Sequence, residues 1–122
     1  MNVVDSSGWL EFFGEGAHGD VYAPVIQDSA NLLVPVICIY EVFKRVTQLR
    51  DGEEALQTAA LMATGEVVEV TLEIALLAAD LSIAHKLPMA DSLILATTRL
   101  YEATLWTQDA HFKGLDGVKF IE

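Results

Sequence analysis

The sequence PMADSLILATTRLYEATLWTQDAHF, residues 88–112, predicts a buried helix followed by a short strand, with a carboxylate near one end of each. Pro88 suits the first turn of a helix because its φ is already fixed and its missing N–H is not needed there. The residues after Asp91 are apolar or small on every side, so this helix has no wide solvated face and is expected to be largely buried. Residues 103–107 form a brief apolar run typical of a buried strand. Asp91 is therefore expected in the first turn of an interior helix, and Asp109 just after the carboxyl end of a strand.

The rest of the chain continues this alternation of strands and helices. Predicted strands cover residues 1–4, 31–34, 67–70, 103–107 and 118–121. Predicted helices cover residues 9–13 and 36–50, run from the N-caps Asp20, Asp51 and Thr71 to about residues 27, 64 and 85, and begin again at Pro88. Gly65 is expected to end the helix before it. Continuous apolar strands favour a parallel sheet, so we predict an α/β fold with a central, mainly parallel sheet of four to five strands and helices on both faces.

The helix that follows Thr71 carries an apolar stripe at helical spacing. The stripe consists of Leu72, Ala75, Leu76, Ala79 and Ile83. A stripe of this kind is typical of the face that a surface helix packs against the core. These side chains are therefore expected to be buried.

Length and composition favour one domain with a large aliphatic core. Of the 122 residues, 52% are hydrophobic, and a chain of this length buries roughly two thirds of its unfolded surface, so residues 1–122 are predicted to form a single domain. No apolar run approaches the ~18 residues of a membrane span, and the start lacks the basic region of a signal peptide, so we expect a cytoplasmic protein that does not contact a membrane. Cys38, the only cysteine, is expected to be a buried and unreactive thiol.

The net charge of the chain is −11, from 18 acidic and 7 basic residues. A chain this acidic repels nucleic acid unless something local reverses the field. Divalent cations bound by clustered carboxylates would reverse it, and a basic partner protein is a second explanation for the charge. The charge alone does not distinguish the two.

Four acidic residues follow the predicted strands in a regular way. Asp5 ends the first strand, Glu41 follows the second, Asp91 begins the helix entered after the third, and Asp109 follows the fourth. Ligand sites of open parallel sheets lie outside the carboxyl ends of the strands. We therefore expect the four carboxylates to meet at one edge of the sheet.

Clustered carboxylates need protons or cations to neutralise them. Two carboxylates about 4 Å apart repel by roughly 4 kcal/mol at an effective dielectric constant of ~20. Oxygen ligands select Mg²⁺ or Mn²⁺, which bind substrate phosphates and activate water. The pattern indicates hydrolysis of a phosphodiester, since the sequence shows no Cys/His cluster for zinc, no phosphate-binding glycine motif and no nucleophile triad.

Four segments of the chain resemble the PIN-domain family, and specifically the VapC-type toxin ribonucleases of toxin–antitoxin pairs. The segments are Val-Val-Asp-Ser-Ser at 3–7, Tyr-Glu-Val-Phe-Lys at 40–44, Ala-Asp-Ser-Leu-Ile at 90–94 with Ala-Thr at 96–97, and Trp-Thr-Gln-Asp-Ala-His-Phe at 106–112. The resemblance covers nearly the whole chain, and the segments occur in the family's order. It implies a PIN-like fold.

The resemblance also implies an activity and a set of site residues. Asp5, Glu41, Asp91 and Asp109 would be the catalytic, metal-binding quartet, with Asp5 and Asp91 as principal ligands and the other two acting through water or on a second ion. Ser6 and Thr107 would supply supporting hydroxyl groups. The expected activity is Mg²⁺- or Mn²⁺-dependent endonucleolytic cleavage of RNA by a type II toxin that forms homodimers and is inhibited by a cognate antitoxin.

Each of these residues also has an ordinary structural interpretation. Asp5 would cap the first helix, Asp91 would complement a helix dipole, Glu41 would belong to a solvated stripe with Lys44 and Gln48, Asp109 would be a turn residue, and His111 would be a packed or solvent-facing histidine. The occurrence of all four acids together is what favours a functional site.

Two further surfaces have open interpretations. Lys44, Lys86 and Lys113 lie within a few residues of the proposed ligands or their loops, so they either bind RNA phosphates or are scattered surface lysines. Residues 36–64 hold more apolar side chains than a helical hairpin needs. By resemblance this region contacts the antitoxin, although ordinary packing against the sheet accounts for some of them.

Two rival functions remain open at this level. The first is a non-catalytic PIN-like module that binds RNA or a protein without cleaving. The second is a receiver-like phosphoacceptor domain, which would carry adjacent acids after the first strand. Because Ser6 and Ser7 follow Asp5, that acid pair is absent and the receiver-like interpretation is the weakest.

Overall fold

The computed structural model describes all 122 residues, as five strands, six α-helices and two 3₁₀ turns. The strands are β1 (Asn2–Val4), β2 (Leu32–Pro35), β3 (Glu66–Val68), β4 (Thr104–Thr107) and β5 (Val118–Phe120). The α-helices are α1 (Ser6–Phe13), α2 (Gly19–Gln27), α3 (Val36–Leu49), α4 (Gly52–Met62), α5 (Leu72–His85) and α6 (Met89–Leu100). The 3₁₀ turns are Ser29–Asn31 and Ala110–Phe112. None of the helices has the length and apolar character needed to cross a bilayer.

The five strands form one sheet in the order β3-β2-β1-β4-β5, and every neighbouring pair is parallel. Successive residues of a strand point to opposite faces, yet Val3 and Val4 are both fully buried, as are Leu33 and Val34 on β2 to within 1%. Both faces of the central strands are therefore covered. This confirms the predicted α/β fold and the buried position of Cys38, whose pKa is raised by that burial.

Local sequence signals start several of the helices. The side chains of Asp51 and Thr71 accept hydrogen bonds from Glu54 N at 2.8 Å and Ile74 N at 3.2 Å, so these two predicted N-caps are confirmed. The prediction that Asp20 caps α2 is wrong. The N-cap position is His18, two residues earlier, so the helix begins at Gly19 and Asp20 lies in its first turn, where a negative charge complements the helix dipole.

The predicted apolar stripe of α5 faces solvent, so this prediction is wrong. Ile83 is 81% exposed and Leu76 is 61% exposed, whereas Ile74, Ala78 and Leu81 form the buried face. The reason is that apolar residues surround most of this helix. A second stripe with the spacing i, i+4, i+7 competes with the first, and packing against α6, not periodicity, decides which of them is buried.

Two glycines permit close approaches in the core. A Cβ atom on Gly8 would lie 2.6 Å from Tyr22 Cε1 and 2.7 Å from Val4 Cγ1, so α1 packs closely against β1 and α2. Gly65 does not end α4, which stops at Met62. A Cβ there would lie 2.9 Å from Val34 Cγ2, so Gly65 instead lets the chain pass close to β2 as it enters β3.

Candidate active site

The four predicted acids lie at the carboxyl edge of the sheet, three of them shortly after the chain leaves a strand and the fourth on a helix that follows another helix. Asp5 follows β1 and is the N-cap of α1, and Glu41 is in the second turn of α3, which follows β2 directly. Asp91 is in the first turn of α6, and Asp109 caps the 3₁₀ turn after β4. The ordinary structural roles of Asp5, Asp91 and Asp109 therefore coexist with their meeting at one place.

Asp5 is the most deeply buried of the acids, at 2% exposure. Its Oδ1 accepts from Ser6 N at 2.7 Å, and its Oδ2 accepts from Ser7 Oγ at 2.8 Å and from Thr107 Oγ1 at 2.8 Å. Burial raises the pKa of Asp5, and the hydroxyl donors of Thr107 and Ser7 work against that rise. Three donors thus hold this carboxylate in one fixed orientation.

Two more hydrogen bonds connect Asp5 to the neighbouring acids. Ser6 Oγ donates to Glu41 Oε1 at 2.6 Å, while the backbone N–H of Asp109 donates to Thr107 Oγ1 at 2.9 Å. The Thr107 hydroxyl therefore donates to Asp5 and accepts from Asp109. Strands β1 and β4 and helix α3 are coupled at the site through these two hydroxyl groups.

His111 completes the network on the solvent side. Its Nδ1 lies 3.0 Å from Asp91 Oδ2 and 3.0 Å from Asp109 Oδ1, and its backbone N–H donates to the same Asp109 oxygen at 2.9 Å. The Asp109 carboxylate raises the pKa of His111, with a further contribution from Asp91. One ligand atom from each of these three residues lies within 4.8 Å of the others, a spacing that one metal ion can span.

Asp91 experiences the summed charge of the cluster. Burial raises its pKa to about 7, with further contributions from Asp109, Asp5 and Glu41, while His111 acts in the opposite direction. Without a cation, this carboxyl group therefore retains a proton into the neutral range. Oxygen donors that repel one another and have few positive neighbours are the donor set that a hard divalent cation requires, so the residues present fit Mg²⁺ or Mn²⁺.

The structure adds residues that sequence reasoning missed or set aside. Ser7 Oγ donates to the carboxylate of Asp5. In the sequence, only its position beside Ser6 indicated that Ser7 belongs to the site. Tyr22 OH donates to Gln108 Oε1 at 3.2 Å and so holds the residue before Asp109. Burial raises the pKa of Tyr22, which keeps the phenol a neutral donor.

The three lysines proposed to bind RNA differ in their surroundings. Lys44 lines a cleft that includes Glu41. Lys113 Nζ instead pairs with Glu122 Oε1 at 2.8 Å. Lys86 has a left-handed backbone at the C-cap of α5, with φ of +54°. Of the three, Lys44 is the one that the structure places beside a candidate ligand.

Comparison with known proteins identifies structural relatives of the chain. A toxin–antitoxin complex from Klebsiella pneumoniae superimposes with a TM-score of 0.81 at 20% identity, covering 98% of this chain and 96% of that one. VapC20 of Mycobacterium tuberculosis, described as a Sarcin-Ricin loop cleaving toxin, gives 0.80 at 15% identity and 97% coverage of each chain. FitAcB from Neisseria gonorrhoeae gives 0.75 at 17% identity, covering 99% of this chain and 97% of that one. These likenesses establish a shared fold.

The sequence itself gives the assignment to a family. No curated protein sequence matches the chain. The family model described as PIN domain, however, matches residues 3–118 and so includes β2, β3 and β4 in full, most of β1, and the four acids at the carboxyl edge. The chain therefore belongs to the PIN-domain family.

Proposed function

We propose that the chain is a Mg²⁺- or Mn²⁺-dependent endoribonuclease, the toxin of a type II toxin–antitoxin pair of VapC type. The observation that carries the proposal is the hydrogen-bonded network of Asp5, Glu41, Asp91 and Asp109 at the carboxyl edge of a PIN-domain sheet. A structural relative named as a toxin–antitoxin complex and another named as a Sarcin-Ricin loop cleaving toxin agree with it.

Within this function each site residue has a task that follows from its contacts. Asp91 and Asp109, whose oxygens lie within 4.8 Å of each other and of a His111 ring nitrogen, would hold the cation together with Asp5 and Glu41. The cation, when bound, would activate water and neutralise charge on a phosphodiester. Thr107 and Ser7 orient the Asp5 carboxylate, and Ser6 orients Glu41. Burial of Asp5 excludes bulk water from the inner side of the site.

The function is tested by incubating the purified protein with single-stranded RNA under three conditions. We expect internal cleavage with Mn²⁺ or Mg²⁺ and none with EDTA, because the carboxylates cannot position a phosphate without a cation. A DNA strand of the same sequence is the control for substrate class. Absence of cleavage with either cation, together with retained RNA binding, would favour the non-catalytic PIN-like module.

We further propose an antitoxin as the protein partner, bound at the hairpin of α3 and α4. Leu49, Leu56 and Leu61 on this hairpin are 48% to 63% exposed, so they contribute little to the core. The net charge of −11 favours a basic partner. The toxin–antitoxin complex from Klebsiella pneumoniae contains a chain of the same fold.

We also propose a homodimer that uses the exposed stripe of α5. Leu72, Leu76, Ala79 and Ile83 are spaced by four, three and four residues, which is the seam of a coiled coil. If a second copy packs antiparallel about a two-fold axis, Leu72 lies opposite Ile83 of the copy and Leu76 lies opposite Ala79. Large residues then meet at the two ends of the seam and a large residue meets a small one at its centre, and a stripe that is otherwise open to water becomes buried.

Replacing Ile83 by glutamate is expected to convert the dimer to a monomer, because a charge would be buried at the seam. Light scattering after size-exclusion chromatography gives the mass directly. Leu56→Glu, the same change at an exposed apolar residue on α4, is the control and should leave the mass unchanged. A dimeric Ile83→Glu protein would contradict the assignment of this face.

A further inference from the structure

A cleft beside the carboxylate network is lined by side chains that have no task in the proposed reaction. It lies between α3 and the start of α6 and has a volume of about 290 Å³. Its lining includes Tyr40, Glu41, Lys44, Arg45, Gln48 and Met89, and it reaches Ala90, the residue before Asp91. The cleft is thus continuous with the candidate active site through Glu41 on one side and α6 on the other.

The cleft exposes apolar surface that the core does not need. Tyr40 is 51% exposed and Met89 is 74% exposed, although both lie next to a charged site. On α3, Tyr40, Lys44 and Gln48 are four residues apart and so share one face of the helix. An aromatic ring, a thioether and an amide therefore point into the same open space.

The cleft also brings two positive side chains together in an acidic protein. Of the seven basic residues, Lys44 and Arg45 line the cleft together. Lys44 Nζ lies 5.9 Å from the centroid of the Tyr40 ring, so a cation and an aromatic face are within reach of a single nucleotide. Lys113, by contrast, is paired with Glu122. Lys44 and Arg45 thus offer two positive charges to phosphate beside the carboxylates, against one acid, Glu41, in the lining of the cleft.

We infer that this cleft is a subsite for one nucleotide of single-stranded RNA adjacent to the cleaved phosphodiester. The base lies against the Tyr40 ring and the Met89 side chain. Lys44 and Arg45 contact the flanking phosphates. The Gln48 amide contacts the edge of the base. Stacking on an aromatic ring requires an unstacked base, which single strands and loops supply and a duplex does not. The inference rests on the proposed ribonuclease function.

A protein segment is the rival occupant, and the charges argue against it. The acidic chain favours basic partners, and a basic segment would be repelled by the adjacent Lys44 and Arg45 in the cleft. An RNA strand brings phosphates to these two cations and a base to the ring. The RNA strand would therefore contact both the charged and the apolar side chains that line the cleft.

The test measures binding and cleavage separately. The probe is a fluorescently labelled, mixed-sequence single-stranded RNA, and its anisotropy is followed with the non-cleaving Asp91→Asn protein, alone and combined with each cleft variant. Tyr40→Ala is expected to weaken binding about tenfold, because stacking on that ring is lost, while Tyr40→Phe retains it. Lys44→Gln is expected to lower the slope of log affinity against log salt by about 0.7. Tyr101→Ala, a change of a similarly exposed tyrosine outside the cleft, should have no effect.

The two proposals fail in different ways. If the wild-type protein cleaves RNA but Tyr40→Ala and Lys44→Gln leave RNA affinity unchanged, the subsite is overturned and the ribonuclease stands. If the wild-type protein does not cleave but both variants weaken RNA binding, the subsite stands and the ribonuclease is overturned. With active protein, Tyr40→Ala should raise KM about tenfold and change the preferred base at the cleavage site, with little change in kcat.

Discussion

The Asp91→Asn variant is expected to cleave RNA at least about a hundredfold more slowly than the wild type, because even residues that only orient a metal ligand cost up to that factor when they are changed. The amide keeps the size of the carboxyl group, so the first turn of α6 and the contact with His111 Nδ1 change little in shape. The variant should keep its fold, since it also removes one of the repelling charges in the cluster.

Initial rates with Mn²⁺ and circular dichroism of both proteins measure these two effects. Asp116→Asn is the matched control, because Asp116 is an exposed acid in the loop before β5. Its rate should equal that of the wild type. Unchanged cleavage by the Asp91→Asn protein would contradict the role of Asp91, and an unfolded variant would require the comparison to be repeated with Asp109→Asn.

The second large effect is expected in thermal stability. Mn²⁺ at about 100 times its dissociation constant adds roughly 2.7 kcal/mol if it binds only the folded state, which corresponds to an increase in Tm of about 10 °C for a domain of this size. The increase should be much smaller in the Asp91→Asn protein. The increase in Tm depends only on the binding of Mn²⁺ by the carboxylate oxygens, so it does not depend on which RNA is the substrate.

The stability of the metal-free protein, and with it the increase in Tm that Mn²⁺ causes, should depend on pH in a defined direction. The pKa of Asp91 is about 7 in the folded protein and near 3.8 in the unfolded chain, so between these values the folded state binds more protons. The stability of the metal-free protein therefore falls as pH rises from about 4 to above 7. The raised pKa of Asp5 and that of His111 act in the same direction.

Melting curves at pH 5 and pH 8, each with EDTA and with Mn²⁺, measure both effects. The metal-free Tm should be lower at pH 8, and the gain from Mn²⁺ should be larger there, because the cation no longer competes with protons for the carboxylates. Equal gains in the wild type and in Asp91→Asn would show that Mn²⁺ binds elsewhere.

The positions of the acids were predictable because each depends on a local signal. Pro88 sets the start of α6 and hence the first-turn position of Asp91, and the apolar run before Asp109 sets the end of β4. The convergence of Asp5, Glu41 and Asp109 follows from the parallel sheet, since carboxyl ends of parallel strands share one edge. Asp91 lies on a helix that follows α5, and its place beside the other acids depends on the packing of α6 and on the contact with His111. The fold and three of the four acids therefore needed no long-range information.

The remaining features depend on contacts between distant parts of the chain. Tyr22 and Gln108 are 86 residues apart, so nothing near either residue indicates their hydrogen bond. The buried face of α5 depends on packing against α6, and its sequence is apolar on most sides. Sequence patterns could predict that α5 is a helix, but they could not predict which side of it meets water.

The sheet order also determines when during translation the site can exist. Strand β1 lies between β2 and β4, and Asp5 receives its hydroxyl donor from Thr107, 102 residues later in the chain. A nascent chain that has not yet released β4 from the ribosome therefore has Asp5 without this donor, and it lacks Asp109 and His111. Pairings between such distant strands also form slowly. The ribosome that makes this protein thus carries a chain whose candidate site is incomplete until the last part of its synthesis.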